Sequence, residues 1–158
     1  MQKRQRGFSL LELLIVVAII LILASVSVPN LLRARMAAND VAAVASLRAL
    51  HTACFMYLTA YGGYPPTLAS LGSPPGGSLT SATAADLLDS VLASGSKSGY
   101  TFTYTAGAAV GGQISTYTVV ADPIRRGATG ERGFFTDQTG AIRANPTGTA
   151  DANSTPIS

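Results

Sequence analysis

Cysteine, histidine and charge are all scarce in this chain. Of its 158 residues one is Cys and one is His, and only 12% are charged, against roughly 25% in an average soluble protein. A single Cys excludes an internal disulfide and any site built from several Cys ligands, and a single His excludes a His-rich metal centre. Lys+Arg 11 against Asp+Glu 8 leaves a formal charge of only +3, which argues against a strongly basic nucleic-acid binder. Disorder is excluded from the other side, because 47% of the residues are hydrophobic and such a chain has apolar surface to bury. The length suits one domain.

The front of the chain breaks this balance. Lys3, Arg4 and Arg6 fall in the first six residues, and without them the remainder carries eight basic against eight acidic side chains. Behind them Phe8 to Val28 is apolar except for Ser9, Glu12, Ser25 and Ser27. About 21 helical residues span roughly 30 Å, the hydrocarbon thickness of a bilayer. Positive charge ahead of such a segment places its start in the cytoplasm and the rest of the chain outside. A secretory signal peptide, with Ser25 and Ser27 near its cleavage site, fits this outline, and so does a plain membrane anchor. Glu12 sets a third reading apart from both. A carboxylate deep in an apolar helix costs roughly 2.5 to 3.5 kcal/mol on insertion scales, so such residues are usually found with a partner.

The run Gly7-Phe8-Ser9-Leu10-Leu11-Glu12-Leu13-Leu14-Ile15-Val16-Val17-Ala18-Ile19-Ile20 resembles the class III signal of type IV pilins and type II secretion pseudopilins. The likeness combines a short basic leader, a Gly at its end, a Phe after it, a Glu four residues beyond the Phe, and a long apolar stretch ending in Pro29. It implies that a membrane-embedded prepilin peptidase cuts after Gly7, on the cytoplasmic side, and methylates the new amino terminus at Phe8, so that the membrane helix is kept. Gly7, without a side chain, lets extended backbone approach a protease closely. The resemblance also implies a docking role for Glu12. An ammonium at Phe8, its own or a neighbour's, gains an acidic partner about one turn away in a low-dielectric setting. Pro29 lacks an N–H, and it is expected either to loosen the helix near Ala24 to Pro29 or merely to mark the membrane exit.

From Asn30 to Tyr61, apolar residues at Val41, Val44, Leu47, Leu50, Cys54, Tyr57, Leu58 and Tyr61 recur at spacings that read as an amphipathic helix. Gly62-Gly63 stops it, and Tyr64-Pro65-Pro66 forces extended chain beyond. Thr67 to Gly99 reads as a loop with one short helix over Ala84 to Ala93, capped by Thr83 and stopped by Gly95. From Tyr100 the period becomes two. Tyr100, Phe102 and Tyr104 alternate with Thr, and a Gly-rich turn from Gly107 to Gly112 leads to a strand over Ile114 to Ala121. Gly133-Phe134-Phe135-Thr136 and Ala141-Ile142-Arg143 flank a hairpin loop at Asp137 to Gly140. Four short strands predict an antiparallel sheet covering the helix stripe. The fold class is therefore α+β, and the resemblance implies the pilin fold, one long N-terminal helix packed on a C-terminal antiparallel sheet of about four strands. The expected organisation is a leader at 1–7, a membrane-spanning and filament-core helix at 8–29, the amphipathic half of the stem helix at 30–61, a loop with a short helix at 62–99, the sheet at 100–144 and a loose tail at 145–158.

Other chemistry is sparse. His51 and Cys54 share a helix face and could pair as base and nucleophile, but their place in the middle of the stem favours ordinary packing. No Gly-rich phosphate loop follows a strand and no zinc spacing exists, so no catalytic residue, cofactor or metal is expected. Pseudopilins often bind calcium through acidic loops, whereas Asp122, Asp137 and Asp151 lie far apart here, and Asp137 reads as a turn former. The lone Cys54 cannot close the C-terminal disulfide loop of many type IV pilins. Arg125, Arg126, Arg132 and Arg143 are interspersed with Asp122, Glu131 and Asp137, a mixed surface rather than a site for nucleic acid.

The resemblance thus implies the precursor of a structural subunit, most like a type IVa major pilin, with a type II secretion pseudopilin as the alternative and a minor pilin acting as adhesin or DNA receptor as a further one. The implied partners are copies of the chain in a helical filament, prepilin peptidase, an inner-membrane platform protein and an assembly ATPase. The implied location is the bacterial inner membrane, single-pass with a cytoplasmic N-terminus, and then a cell-surface pilus or a periplasmic pseudopilus. Ala34, Ala37, Ala38, Ala42, Ala45 and Ala49 are small enough to let neighbouring helices approach closely.

Overall fold

The computed structural model describes residues 8–157, so the expected leader, with Gly7, lies outside the described residues. The chain divides into two compact units, one ending at Ala34 and one beginning at Arg35. One helix, α1, runs through Leu10–Tyr61. Ser9 opens it by offering its carbonyl to the Leu13 N–H at 3.2 Å. Gly62 closes it with φ at +78°, its N–H reaching the Leu58 carbonyl at 2.9 Å. Such a left-handed stop suits Gly, which has no Cβ to clash.

In the second unit α1 is covered along one stripe, Asp40, Ala43, Ser46, Leu47, Leu50, Ala53, Cys54 and Tyr57. This differs from the apolar spacing expected from sequence, since Val41 is 67% exposed and Tyr61 41%. Ala43, Ser46 and Ala53 take the covered positions instead, because small side chains let the layer above approach the helix backbone.

That layer is an antiparallel sheet of six strands, β1 (Ser96–Lys97), β2 (Tyr100–Ala106), β5 (Tyr117–Pro123), β6 (Gly133–Asp137), β7 (Arg143–Asn145) and β8 (Thr155–Pro156), adjacent in that order. A separate hairpin, β3 (Ala109–Val110) with β4 (Gln113–Ile114), fills the Gly-rich stretch. Register places Phe102 opposite Ala121 and Tyr104 opposite Val119, and Phe134 opposite both Ala121 and Ala144. These residues, with Tyr100, Tyr117, Leu47, Leu50 and Cys54, form one core. Each large apolar side chain so buried contributes about 1.5 to 3 kcal/mol.

The short helix is a correction. The structure holds α2 at Ser90–Ala93 only, capped by Asp89, whose carboxylate accepts the Leu92 N–H at 3.0 Å. Thr83 instead bonds Ser81 in a turn. Asp86 sits at φ +54°, which no helix tolerates, and the N–H groups of Ala85, Leu87 and Leu88 go to carbonyls of Ser70 and Leu71, each at 2.9 Å. Those carbonyls belong to a 3-10 turn over Leu68–Leu71.

The segment from Asn145 onward, expected to be loose, returns to the sheet. Asn145 Oδ1 accepts the N–H groups of Thr147 and Gly148, Ala150 is buried, and β8 pairs with β7. Its polar and Pro residues form turns rather than disorder, and Ile157 closes the segment by bonding Ile142 O at 2.8 Å.

A buried polar cluster fastens the loop between β5 and β6 to α1. The Asp40 carboxylate is 5% exposed and accepts from Tyr100 Oη and from Arg132 Nε at 3.0 Å. The Arg132 guanidinium lies 5.2 Å from the Phe134 ring centroid, and Asn39 Nδ2 donates to Thr129 O at 2.7 Å.

Candidate functional site

The first unit carries the candidate site, which is the helix surface itself. From Phe8 to Leu32 every large hydrophobic residue is exposed and only Ala24 is half-buried, with Phe8 at 75% and Leu10 at 81% exposed. Among the described residues this is the helix long and apolar enough to cross a membrane. In water such a face carries a cost of about 25 cal/mol for each Å² of apolar surface, which lipid or another apolar surface removes. Glu12 stands in the first turn of α1, where the positive end of the helix dipole favours a carboxylate. It is exposed, and among the described residues it enters no ion pair.

Pro29 lies inside α1 without ending it. It supplies no N–H for the carbonyl one turn back. In that turn Ser25 Oγ donates to Ile22 O at 2.7 Å and Asn30 Nδ2 donates to Val26 O at 3.2 Å. These bonds go to Ile22 O and Val26 O and not to the Ser25 carbonyl, the one that Pro29 leaves without an N–H.

The other sequence candidates are placed elsewhere and not together. Cys54 is fully buried, and burial pushes its thiol up to about 12 despite a hydrogen bond with Tyr117. A thiol so raised is a poor nucleophile at neutral pH. His51 Nδ1 lies 2.8 Å from the same Tyr117 hydroxyl, so the tyrosine separates the two as a shared partner. Asp122 pairs with Arg126 at 3.0 Å and accepts from Thr149. Asp137 and Asp151 each close their own turn, through Thr139 and Ser154. Hydrogen bonds from Ser154 and from the Asn153 N–H hold the Asp151 carboxyl below the usual range. Among the described residues no three His, Cys, Asp or Glu side chains are grouped to hold a metal. Arg126, Arg132 and Arg143 are each engaged, with Asp122, Asp40 and Ser154 O.

Alanines 34, 37, 38, 45 and 49 lie exposed on α1 and Ala42 is half-buried. The chain thus joins an exposed apolar helix to an α+β unit. Comparison with known proteins sharpens this. A family described as Prokaryotic N-terminal methylation motif matches residues 2–28. The chain is 58% identical over 45 residues to the type IV wide pilus major component PilA4 of Thermus thermophilus, covering 28% of this chain and 34% of that one. It is 41% identical over 73 residues to the type II secretion system core protein G of Dickeya chrysanthemi, covering 46% and 48%. A type IV major pilin protein of Myxococcus xanthus is 48% identical over 50 residues, 32% of this chain and 23% of the relative. No solved structure matches. The N-terminal part of the chain is thus similar to that of type IV pilins and type II secretion pseudopilins. It spans about half the length, or less, of these curated relatives.

Proposed function

We propose that the chain is a prepilin, the precursor of a structural rather than catalytic subunit, and that it polymerises into a type IV pilus through its apolar helix. In this reading prepilin peptidase cuts after Gly7 and methylates Phe8, and the helix over 8–29 holds the subunit in the inner membrane, N-terminus inward. A platform protein and an ATPase then add it to the base of the fibre. Head-to-tail contacts that do not close on themselves generate an open filament. The observation that carries the reading is the uninterrupted exposed apolar surface from Phe8 onward with one acidic side chain, Glu12, in its first turn. In this reading the methylated amino terminus at Phe8 of a neighbour is the positive partner of Glu12, which among the described residues enters no ion pair. Pro29 and its side-chain-bonded turn give the helix a place to adjust between lipid and fibre.

The second reading, a pseudopilin of a type II secretion system, is favoured by the reach of the match. Similarity to the core protein G of Dickeya chrysanthemi extends over 73 residues, against 45 and 50 for the two pilins.

The test is mass and N-terminal analysis of native protein, made separately on sheared fibres and on membranes. A chain starting at Phe8 with one added methyl group, abundant in the sheared fraction, is the expected result. The same chain confined to membranes favours the pseudopilin, and a start near Val28 overturns both. Glu12→Ala should insert and be cleaved normally yet lower fibre yield by about tenfold or more, since a hydrogen bond to a charged group contributes roughly 1.5 to 3 kcal/mol. Normal yield would refute the pairing.

A further inference from the structure

Where α1 ends, the second unit forms a shallow, open hollow of about 270 Å³, lined by Tyr57, Tyr61, Tyr64, Pro66, Ala82 and Gln113 among others. We propose that this hollow binds a neutral pyranose ring, the terminal unit of a glycan.

The walls are held by hydrogen bonds, so the shape exists before any ligand arrives. The Tyr64 N–H donates to Ile114 O at 2.8 Å and fastens the β3–β4 hairpin to the chain leaving the helix. Tyr57 Oη donates to Ala82 O at 2.6 Å. Ala82 itself sits in a turn whose ends, Ser81 and Ala84, exchange two backbone bonds of 3.0 Å.

The chemistry of the lining selects the ligand class. Tyr57 and Tyr61 bring their ring centroids within 4.5 Å, and Tyr64 sets its edge against Tyr117 at 4.8 Å. Tyr61 is 41% exposed. Among the described residues the hydroxyls of Tyr61 and Tyr64 and the amide of Gln113 have no protein hydrogen-bond partner, while no buried side-chain polar atom is left unpaired. These tips therefore face solvent. A ligand that fits must offer an apolar face to the rings and several neutral hydrogen-bonding groups to the tips. A pyranose does both, with its C–H face and its hydroxyls. A purely aliphatic ligand would cover the tips and leave them unpaired. None of the lining residues is charged, so a charged ligand would lose hydration without gaining a counter-charge.

The experiment is tyrosine-ring NMR on the full chain in detergent micelles, titrated with methyl glycosides of a hexose and of an N-acetylhexosamine, and separately with glucuronate. Tyr61 and Tyr64 should shift with one of the neutral glycosides, with an apparent Kd of about 1 to 10 mM. Tyr100, buried beside Asp40 on α1, should not. Tyr61→Ala should weaken binding roughly tenfold. Gln113→Ala should weaken it about threefold or more, the loss of a neutral hydrogen bond. An unmoved Tyr100 signal in both variants reports an intact fold. No shift at about 100 mM glycoside, weaker than any useful site, overturns the proposal. Equal shifts at Tyr100, unchanged affinity in Tyr61→Ala, or glucuronate binding as well as the neutral sugars would overturn it too. Fibre assembly is untouched by any of these outcomes.

Discussion

Replacing Arg132 by Met removes the cation from a carboxylate that the fold keeps out of water. Asp40 is 5% exposed, and its two oxygens accept from Tyr100 and Arg132. Breaking a fully buried pair from one side costs about 3 to 5 kcal/mol. The Arg132 side chain is 41% exposed, so water replaces part of what is lost, and the cost falls to about 2 to 3 kcal/mol. Met keeps most of the stem that packs beside Phe134. For a unit of this size the loss corresponds to a fall in Tm of roughly 8 to 12 °C. The sign of the coupling is the sharper expectation. Asp40→Asn in the Arg132→Met background removes the stranded charge, and Tyr100 Oη still has the Arg132 carbonyl within 2.9 Å as an acceptor. The double variant should therefore be more stable than Arg132→Met alone, although Asp40→Asn on its own destabilises. Thermal melts of the four proteins in the same detergent, followed by near-ultraviolet circular dichroism of the tyrosines, complete the cycle. Additive losses would refute the reasoning, because they would mean that Arg132 acts by packing alone.

Three further expectations follow from the core and its turns. Leu50→Ala should cost about 2 to 5 kcal/mol, while Val41→Ala should stay within about 0.5 kcal/mol; paired chemical melts distinguish the covered stripe from the one expected by apolar spacing. Gly140→Ala should destabilise by roughly 1 to 3 kcal/mol. Gly140 has φ +76° and a Cβ there would come 2.7 Å from His51 Nε2, so the His51 ring resonances should also move. Asp89→Ala should cost about 0.5 to 1 kcal/mol by uncapping α2. The Lys97 hydrogen bond first, and then the Leu92 N–H, hold the Asp89 carboxyl below the usual carboxylate range. Its contribution is therefore present above the unfolded pKa and lost as pH falls through the folded one. Acid titration of stability should be flatter in the variant by that amount.

Where sequence carried the fold, it did so through punctuation. Gly62-Gly63 and the Tyr64-Pro65-Pro66 run end α1, and the Tyr-Thr alternation from Tyr100 marks β2, because these residues act on their own backbone. What the pattern missed was set by partners distant in the chain. Ala43 and Ser46 are covered because the sheet lies over them, and apolar counting is blind to small residues. Asp86 leaves the helical region because Ser73 and the 68–71 turn claim its surroundings. The tail is tied by Asn145 and Arg143, whose side chains look in sequence like those of any polar loop. The proposed processing role of Phe8 and assembly role of Glu12 rest on one short motif, within which both residues lie. The tyrosine hollow was not, because Tyr57 and Gln113 meet only after the chain has turned back on itself.

The two outer strands of the sheet, β1 and β8, are two residues long. Lys97 stands in one, and Pro156, which has no N–H to give, stands in the other. A sheet with long free margins can add strands from other copies without limit, and charge, proline and brevity are the features that stop this. For a chain proposed to polymerise, the distinction matters. Growth through the helix can be started and ended by machinery at the membrane, whereas growth through a sheet margin is governed only by concentration. The outer strands thus oppose strand addition along the margin where uncontrolled aggregation would begin, and in the proposed filament growth is left to the helix, the surface that regulation would have to manage.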